Sequence, residues 1–287
     1  MNFTDLYSKG FQYSLEVFPP KTGRGIEILI AHLKDLENIN PAYVSVTYGA
    51  MGSTRDLTKE LAFKLYDEIK AYTAFHFTCV GSSRADIKEY VDALFQKGIN
   101  LVLALRGDWP NEQVLEHPLQ DGFSYANELM SYLKELQNFS IAVAGYPEKH
   151  PEACSMEEDI DHLKRKVDTG AEVILTQLFF DNQFYFDWLE KVRKAGITIP
   201  VVPGIMPIIK LSQVQRITNM CGAMIPQALL EQLEKCGDDE EAMRDIGVEH
   251  AIKQCQDLKN NKVPGIHFYC LNKSYSVLKI VDELTRP

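Results

Sequence analysis

Residues 163–181 read LKRKVDTGAEVILTQLFFD and contain one complete helix-to-strand junction. Apolar residues at helical spacing predict a helix over Met156–Asp168, and Gly170 provides the conformation that ends a helix. The apolar run Val173–Phe179 that follows has the length of a single strand. A helix that leads directly into a buried strand is the repeating unit of parallel α/β proteins.

Polar residues mark both ends of this helix. Ser155 is followed three residues later by Glu158, which predicts a capping box at the N-terminus. Lys164, Arg165 and Lys166 place positive charge in the last turn, where it interacts favourably with the helix dipole. Both ends of the helix are therefore specified by the sequence.

The same alternation continues along the chain. The predicted strands are Tyr13–Phe18, Tyr43–Tyr48, Phe75–Val80, Leu101–Arg106, Ser140–Gly145, Val173–Phe179, Ile199–Pro203 and Ile266–Cys270. The helices predicted between them are Gly25–Leu36, Asp56–Ala71, Asp86–Lys97, Ser124–Leu136, Met156–Asp168 and Gln183–Lys194. Most strands recur about every 30 residues, as a βα repeat requires. Eight such units favour a closed barrel, although an open doubly wound sheet has the same periodicity.

The segment between the seventh and eighth strands is longer than the others. It covers Gln213–Val263 and is too short for a comfortable independent core, so we expect extra helices packed on the barrel. The predicted fold class is therefore α/β, a single (β/α)8 TIM barrel with extra helices between strands 7 and 8. Residues 1–287 are expected to form one catalytic domain.

Composition limits the partners and the compartment. The 287 residues carry a net charge of -10, which argues against nucleic acid and anionic membranes as partners. The apolar runs have the length of strands, and the N-terminus lacks a secretion signal, so we expect a cytoplasmic protein. The cysteines occur singly and without a C-x-x-C pair, so neither a zinc site nor a disulfide framework is predicted.

Glu16 is the first informative polar residue. It stands in SLEVFPP near the C-terminal end of the first predicted strand, where barrel enzymes place their chemistry. Both faces of such a strand are covered, so a carboxylate is costly there unless it is used or paired. In a dry pocket, desolvation would raise its pKa, which suits a general acid. The alternative is an ion pair with a Lys or Arg of a neighbouring strand.

Two more polar positions follow apolar strands. Asp108, in Arg106-Gly107-Asp108, emerges after LVLAL and is placed to hydrogen-bond a ligand, while Gly107 allows close backbone approach. A local Arg–Asp turn is the alternative. Gln177 shares a face with Phe179 by alternation, and its amide can both donate to and accept from an amide-like heterocycle. The alternative is a structural amide that bridges two strands.

Histidines also occur at strand ends. His76, Asp108 and His267 are of metal-binding type. However, ligands on separate strands cannot be recognised by their spacing, and a lone strand histidine is more often part of a structural hydrogen-bond network. We therefore predict no metal site.

The loop YPEKHPEA (residues 146–153) leads into the helix that begins after Ser155. Asp159, His162 and Lys166 lie on one face of that helix, and together with the loop they can hold a diphosphate and its ribose. From the residues alone, an ordinary solvated face with i,i+4 pairs is favoured. The sequence has neither a G-x-G-x-x-G nor a P-loop motif, so any nucleotide would be held by barrel loops.

Eight segments in order between Leu15 and Ser274 resemble the bacterial methylenetetrahydrofolate reductases. They are LEVFPP, VSVTYGA, HFTC, ALRGD, YPEKHPEA, LKRKVDTGAEVILTQLFFD, PGIMPI and HFYCLNKS. In that family a (β/α)8 barrel binds FAD and passes a hydride from NAD(P)H to 5,10-methylenetetrahydrofolate in a ping-pong scheme. The product, 5-methyltetrahydrofolate, supplies methyl groups for methionine synthesis. The resemblance thus implies a flavoprotein oxidoreductase with FAD as cofactor, and we expect a homo-oligomer.

The resemblance also implies roles for the matching residues. Glu16 resembles the general acid that protonates N10 of the folate, and Asp108 the catalytic carboxylate that contacts the pterin close to the flavin. Substrate-binding roles are implied for Asp108, Gln177, Gln213 and Lys273. FAD-binding roles are implied for Thr47, Tyr48, Ala50, His76, Arg106, Gly107, Asp108, Tyr125, Ala126, Tyr146, His150, Ala153, Asp159, Arg165 and Lys166. For the helix face after Ser155, this reverses the interpretation favoured by the residues alone.

Three positions depart from the family pattern. His162 stands where Asn is expected, and Ile217 replaces an aromatic residue expected near the folate or nicotinamide. Lys273 replaces Arg, which keeps the charge but loses bidentate geometry. The adenosylmethionine-binding regulatory domain of eukaryotic relatives is not expected. The choice between NADH and NADPH stays open, as do two rival functions: a flavin-free barrel lyase and a non-catalytic folate-binding barrel.

Overall fold

A computed structural model describes residues 1–48, 55–107 and 121–286 of the chain. Its strands are β1 (Gln12–Val17), β2 (Tyr43–Val46), β3 (Tyr72–Thr78), β4 (Leu101–Leu105), β5 (Ser140–Gly145), β6 (Val173–Leu178), β7 (Val201–Ile205) and β8 (Gly265–Tyr269). All neighbouring pairs are parallel, and β8 pairs with β1, so the sheet is a closed barrel. This confirms the predicted barrel and excludes the open sheet.

Helices connect the strands around the outside. They are α1 (Phe3–Tyr7), α2 (Gly23–Leu36), α3 (Arg55–Glu68), α4 (Arg84–Lys97), α5 (Ala126–Leu136), α6 (Met156–Asp168), α7 (Asn182–Lys194), α8 (Leu211–Cys221), α9 (Gln227–Lys235), α10 (Glu240–Asn260) and α11 (Tyr275–Thr285). A short 3-10 turn follows α2 over Glu37–Ile39. The extra helices predicted between strands 7 and 8 are α8, α9 and α10. Within the described ranges, no helix is both long and apolar enough to span a bilayer.

Two helices are absent from the sequence prediction. α1 closes the N-terminal end of the barrel, where buried Phe3, Leu6 and Tyr7 pack against apolar residues of the barrel interior. α11 follows β8 and packs against α10. With five residues, α1 is too short to show a helical apolar period, so its stability comes from packing.

The seventh strand begins two residues later than predicted. The prediction ended the strand at Pro203, but β7 continues to Ile205. Gly204 and Ile205 pair with His267 and Phe268 of β8, and this pairing extends the strand beyond the proline. The shift matters because it places Gly204 beside the polar end of β8.

The predicted capping box of α6 is half formed. The Ser155 hydroxyl accepts a hydrogen bond from the Glu158 N–H at 3.2 Å, as expected for an N-cap. However, the Glu158 carboxylate accepts from the Cys154 N–H at 2.6 Å, one residue before the N-cap. Gly170 adopts a left-handed φ of 100°, which confirms it as the residue that ends the helix.

Candidate active site

A cavity of about 310 Å³ opens at the C-terminal ends of the strands and is here called the central cavity. Its lining comes mainly from strand ends and from the extra-helix segment: Glu16, Val17, Phe18, His76, Leu103, Leu105, Ala144, Tyr146, Leu175, Gln177, Leu178, Met206, Ile217, His267, Tyr269 and Leu271. The walls are predominantly apolar, whereas the polar groups are few and close together. Such a site excludes water while it orients a ligand.

Glu16 contacts two histidines at the floor of this cavity. Its Oε2 lies 3.3 Å from Nε2 of His76 and 3.3 Å from Nε2 of His267. These three residues, here called the Glu16 cluster, come from β1, β3 and β8. The predicted alternative, an ion pair with Lys or Arg, is therefore wrong about the partners, which are imidazoles.

Hydrogen bonds deeper in the barrel support His267. Its Nδ1 lies 2.8 Å from the Ser14 hydroxyl, and that hydroxyl lies 3.4 Å from the phenolic oxygen of Tyr7. The Tyr7 oxygen is 3.1 Å from the hydroxyl of Tyr43. His267 itself is 0% exposed, and both of its ring nitrogens have a polar partner, Ser14 at Nδ1 and Glu16 at Nε2.

Opposing effects determine the charge of Glu16. Burial raises the pKa of the carboxyl group, but the charge of His76 and the hydrogen bond and charge of His267 outweigh burial. The net pKa lies below its ordinary value. Burial alone predicts a raised pKa for Glu16, and the direction is reversed because both imidazoles face the same oxygen. The pKa of His76 is itself lowered, chiefly by burial, with Glu16 opposing.

Gln177 lies on the cavity wall near the end of β6. Its Oε1 accepts a hydrogen bond from the backbone N–H of Leu178 at 2.9 Å. An irregularity in the pairing of β6 with β7 between Leu175 and Leu178 interrupts the alternation of side chains. Leu178 therefore lines the cavity, whereas Phe179 stacks on Tyr185 of α7. The prediction that Phe179 shares a face with Gln177 is wrong for this reason.

A groove of about 500 Å³ runs beside the central cavity, between the ends of β4 and β5 and the helices α5 and α6. Leu105, Ala144 and Tyr146 line both, so the two spaces share a wall. Residues predicted to bind FAD make up more than half of the groove lining: Arg106, Tyr125, Ala126, Tyr146, His150, Ala153, Asp159, Arg165 and Lys166.

Charged groups in the groove have polar partners. The Arg106 guanidinium donates to both carboxylate oxygens of Glu152, at 2.5 and 2.6 Å. Lys166 Nζ donates to the backbone oxygen of Ala144 at 2.7 Å. Asp159 accepts from the His150 N–H at 3.1 Å and thereby ties the loop to α6.

Burial shifts the pKa of two groove residues. It lowers the pKa of Lys166 to about 8, and the neighbouring Asp159 only partly opposes this. It raises the pKa of Asp159, although His150 and Lys166 act in the opposite direction. An anion in the groove would stabilise the protonated amine of Lys166.

Several other predicted residues lie away from both spaces. Thr47 accepts from the hydroxyl of Thr58 through its backbone oxygen, and the Tyr48 ring packs against Phe77 and Tyr90. Gly107, Gln213 and Lys273 are absent from the lining of either space. Of the residues that depart from the family pattern, Ile217 lines the cavity and His162 the groove. Ala50 and Asp108 lie outside the described residues.

The family profile described as methylenetetrahydrofolate reductase matches residues 3–285 of the chain. The 5,10-methylenetetrahydrofolate reductases of Pectobacterium carotovorum and Escherichia coli are each 34% identical to it over 261 residues. Each of these matches covers 91% of this chain and 86% of the relative. The chain belongs to the methylenetetrahydrofolate reductase family.

Plant members of the family are also similar but longer. Methylenetetrahydrofolate reductase (NADH) 1 of Zea mays is 36% identical over 283 residues, covering 95% of this chain. The chain spans about half the length of this relative, 48%. Among solved structures, a Clostridium thermocellum protein described as binding two copies of 5-methyl-5,6,7,8-tetrahydrofolic acid has a TM-score of 0.66. Its identity is 12%, with 96% of this chain and 93% of that chain covered, so it supports the fold alone.

Sequence reasoning missed part of this candidate site. It favoured a structural hydrogen-bond network over a metal site for His267 but did not identify the partners, which are Glu16 and Ser14. Alternation within β8 could have shown that His267 and Tyr269 share a face, but only barrel closure brings that face to Glu16. In the described part of the chain, no group of three or more His, Cys, Asp and Glu residues is arranged to hold a metal ion.

Proposed function

We propose that this protein reduces 5,10-methylenetetrahydrofolate to 5-methyltetrahydrofolate with FAD as its cofactor and NAD(P)H as the electron donor. The observation that carries the proposal is a part-buried carboxylate, Glu16, on the floor of an apolar cavity that shares a wall with a charged groove. Family membership supports the folate reaction, and the groove supports a nucleotide cofactor.

The groove residues fit the parts of FAD. Arg106, Arg165 and Lys166 provide cationic groups for a diphosphate, and Asp159 provides a carboxylate for hydroxyl groups of a ribose. The Tyr125 ring is 59% exposed at the groove and offers a surface for stacking. When bound, FAD would accept a hydride from NAD(P)H and deliver it to the folate.

The chain's own task is to bind, orient and protonate the folate. Glu16 supplies the proton to N10, which opens the five-membered ring to the reactive iminium cation. Gln177 presents an amide to the pterin, matching its donors and acceptors. Apolar residues such as Leu105 and Met206 exclude water from the cation. Since the central cavity is one space, NAD(P)H and the folate would occupy it in turn, as a ping-pong scheme requires.

A visible spectrum of the purified protein tests the cofactor. We expect flavin absorbance, either as purified or after addition of FAD, and bleaching on addition of NADH or NADPH under anaerobic conditions. The more rapidly bleaching donor identifies the preferred nicotinamide. A protein that shows no flavin absorbance and does not regain it with FAD would contradict the proposal and favour a flavin-free lyase. A protein that binds folate but does not oxidise either donor would be a non-catalytic binding barrel.

A further inference from the structure

A bulge interrupts β6 at Gln177. The pairing of β6 with β7 passes from Leu175 directly to Leu178, a step of three residues, while β7 advances by only two. The extra residue in β6 changes the direction of the side chains around it. Gln177 and Leu178 both line the central cavity as a result, which consecutive residues of a regular strand cannot do.

The hydrogen bonds around Thr176 differ from those of a regular parallel ladder. The Ile174 N–H donates to the Pro200 oxygen at 2.9 Å, and continuation of this pattern would join the Gly204 N–H to the Thr176 carbonyl. Instead, the Gly204 N–H donates to the Thr176 hydroxyl at 2.9 Å. The Thr176 carbonyl accepts from the hydroxyl of Tyr269 at 2.7 Å. A phenol from β8 therefore takes the place of a backbone N–H from β7.

Gly204 leaves room for the Tyr269 side chain to reach across β7. A Cβ added at Gly204 would lie 2.7 Å from Cε2 of Tyr269 and 2.9 Å from its hydroxyl oxygen. Distances this short are overlaps, so any larger residue at position 204 would displace the phenol. The glycine in β7 and the tyrosine in β8 thus form one device that holds the bulge in β6.

The direction of the Gln177 side chain depends on this bulge. The Thr176 carbonyl and the Gln177 nitrogen belong to one planar peptide group, so the hydrogen bond from Tyr269 fixes the plane from which Gln177 departs. The Gln177 amide is also tied to the bulge, because its Oε1 accepts from the Leu178 N–H at 2.9 Å. Without the Tyr269 hydroxyl, both the peptide group and the amide are free to reorient.

We infer that Tyr269 is a positioning residue for the folate, because its hydroxyl fixes the bulge that presents the Gln177 amide to the pterin. The inference rests on the proposed function and deepens it. The hydroxyl hydrogen is already donated to Thr176, so Tyr269 acts through Gln177 and does not protonate the ligand. Burial holds the pKa of the Tyr269 hydroxyl well above its usual range, which keeps it a donor.

The test is a double-mutant cycle in the FAD-loaded protein with Tyr269→Phe, Gln177→Ala and the double variant. Anaerobic stopped-flow measures the methylenetetrahydrofolate concentration that gives half of the limiting rate of flavin reoxidation. Tyr269→Phe keeps the ring and should raise this concentration about tenfold, the effect of leaving one buried acceptor unpaired. The limiting rate should change by less than about threefold, since Glu16 is intact.

The decisive comparison is the effect of Tyr269→Phe in the Gln177→Ala protein. There the substitution should raise the half-saturating folate concentration by less than about twofold, because the group that Tyr269 positions has been removed. Thr176→Val should act in the same direction as Tyr269→Phe, since the Gly204 N–H would return to the carbonyl. Tyr13→Phe is the matched control, because Tyr13 stacks on Phe268 and lines neither the central cavity nor the groove.

Independent losses in the cycle, in which the effects of the two single variants multiply, overturn the inference in favour of a structural role. An unchanged half-saturating concentration in Tyr269→Phe also overturns it. A second readout is hydrogen exchange of the FAD-loaded protein: backbone amides in residues 174–179 should exchange faster in Tyr269→Phe than in Tyr13→Phe. If wild type does not reduce the folate while this exchange still rises, the proposed function and the folate role of Tyr269 fail, whereas its hold on the bulge stands.

Discussion

The floor of the central cavity and the wall of the groove hold their charged groups in different ways. On the floor, Glu16 contacts His76 of β3 and His267 of β8, and His267 is in turn held by Ser14 of β1. In the groove, Arg106 is held by Glu152 of the loop before α6, and Lys166 is held by the backbone oxygen of Ala144 in β5. The floor is therefore preorganised for proton transfer, whereas the groove is suited to binding an anionic ligand.

The largest expected effect comes from the floor. Glu16→Gln keeps the shape of the side chain but removes the proposed proton donor. Reoxidation by methylenetetrahydrofolate should fall by about 10²–10⁴-fold, the usual contribution of a general acid, while reduction by NADH persists. Stopped-flow absorbance of the flavin measures both steps. An equal loss of rate in both half-reactions would contradict the distinction between a floor for proton transfer and a groove for ligand binding.

The next effect comes from the groove. Lys166→Met removes a part-buried cation and should weaken FAD binding about 10- to 100-fold, the scale of a charged hydrogen bond. Because the pKa of Lys166 is lowered to about 8, wild-type affinity should fall as pH rises through 8 and the amine loses its charge. Fluorescence titration with FAD measures both. Lys164→Met, on the exposed side of α6, is the control and should bind FAD normally.

Packing beneath the cavity tests the rigidity of the floor. A Cβ added at Gly204 would lie 2.3 Å from the backbone oxygen of Thr176 and 2.7 Å from the ring of Tyr269. Gly204→Ala should therefore lower the free energy of unfolding by about 1–3 kcal/mol in a denaturant titration. Gly23→Ala is the control, because a Cβ there meets nothing within 4 Å. Equal free energies of unfolding for the two variants would show that the residues around Gly204 rearrange to accommodate the added Cβ.

The smallest effect concerns the loop that borders the groove. Glu148 accepts from the Met224 N–H at 3.0 Å, and burial raises its pKa to about 7. The native state thus binds a proton more tightly than the unfolded chain, and wild-type stability should fall as pH rises from about 4.5 to about 7. Glu148→Gln should lose this pH dependence, which contributes roughly 1 kcal/mol to the free energy of unfolding after allowance for solvent screening. Urea unfolding at pH 5 and pH 8 measures it, and Glu249→Gln, on the surface, should behave as wild type.

Local patterns were sufficient for most of the fold. The run Val173–Phe179 and the residues Ser155 and Gly170 predicted a strand and two helix ends, and β6 and α6 match them closely. Closure of the barrel could not be predicted by periodicity, since it depends on pairing between β1 and β8 across the whole chain. The short helix α1 was missed for a related reason: it is stabilised by contacts with the barrel interior and not by its own sequence.

The candidate site, like the fold, was predicted only where the local sequence was sufficient. Glu16 was recognised because a carboxylate in an apolar strand is locally unusual, and the groove residues because they resemble a family. The direction of the Glu16 pKa was wrong, since it depends on His76 and His267, two residues distant in sequence that only the closed barrel brings together. The Phe179 side chain was predicted on the wrong face, because the alternation of side chains along a strand does not reveal an irregularity in strand pairing.

The most direct test of the proposed reaction is anaerobic reoxidation of the NADH-reduced protein by methylenetetrahydrofolate. Flavin absorbance follows the reaction, and mass spectrometry identifies the folate product. We predict that the flavin bands return and that one 5-methyltetrahydrofolate forms for each flavin reoxidised. A reduced flavin that stays bleached in the presence of the folate, or that reoxidises without forming the 5-methyl product, would contradict the account.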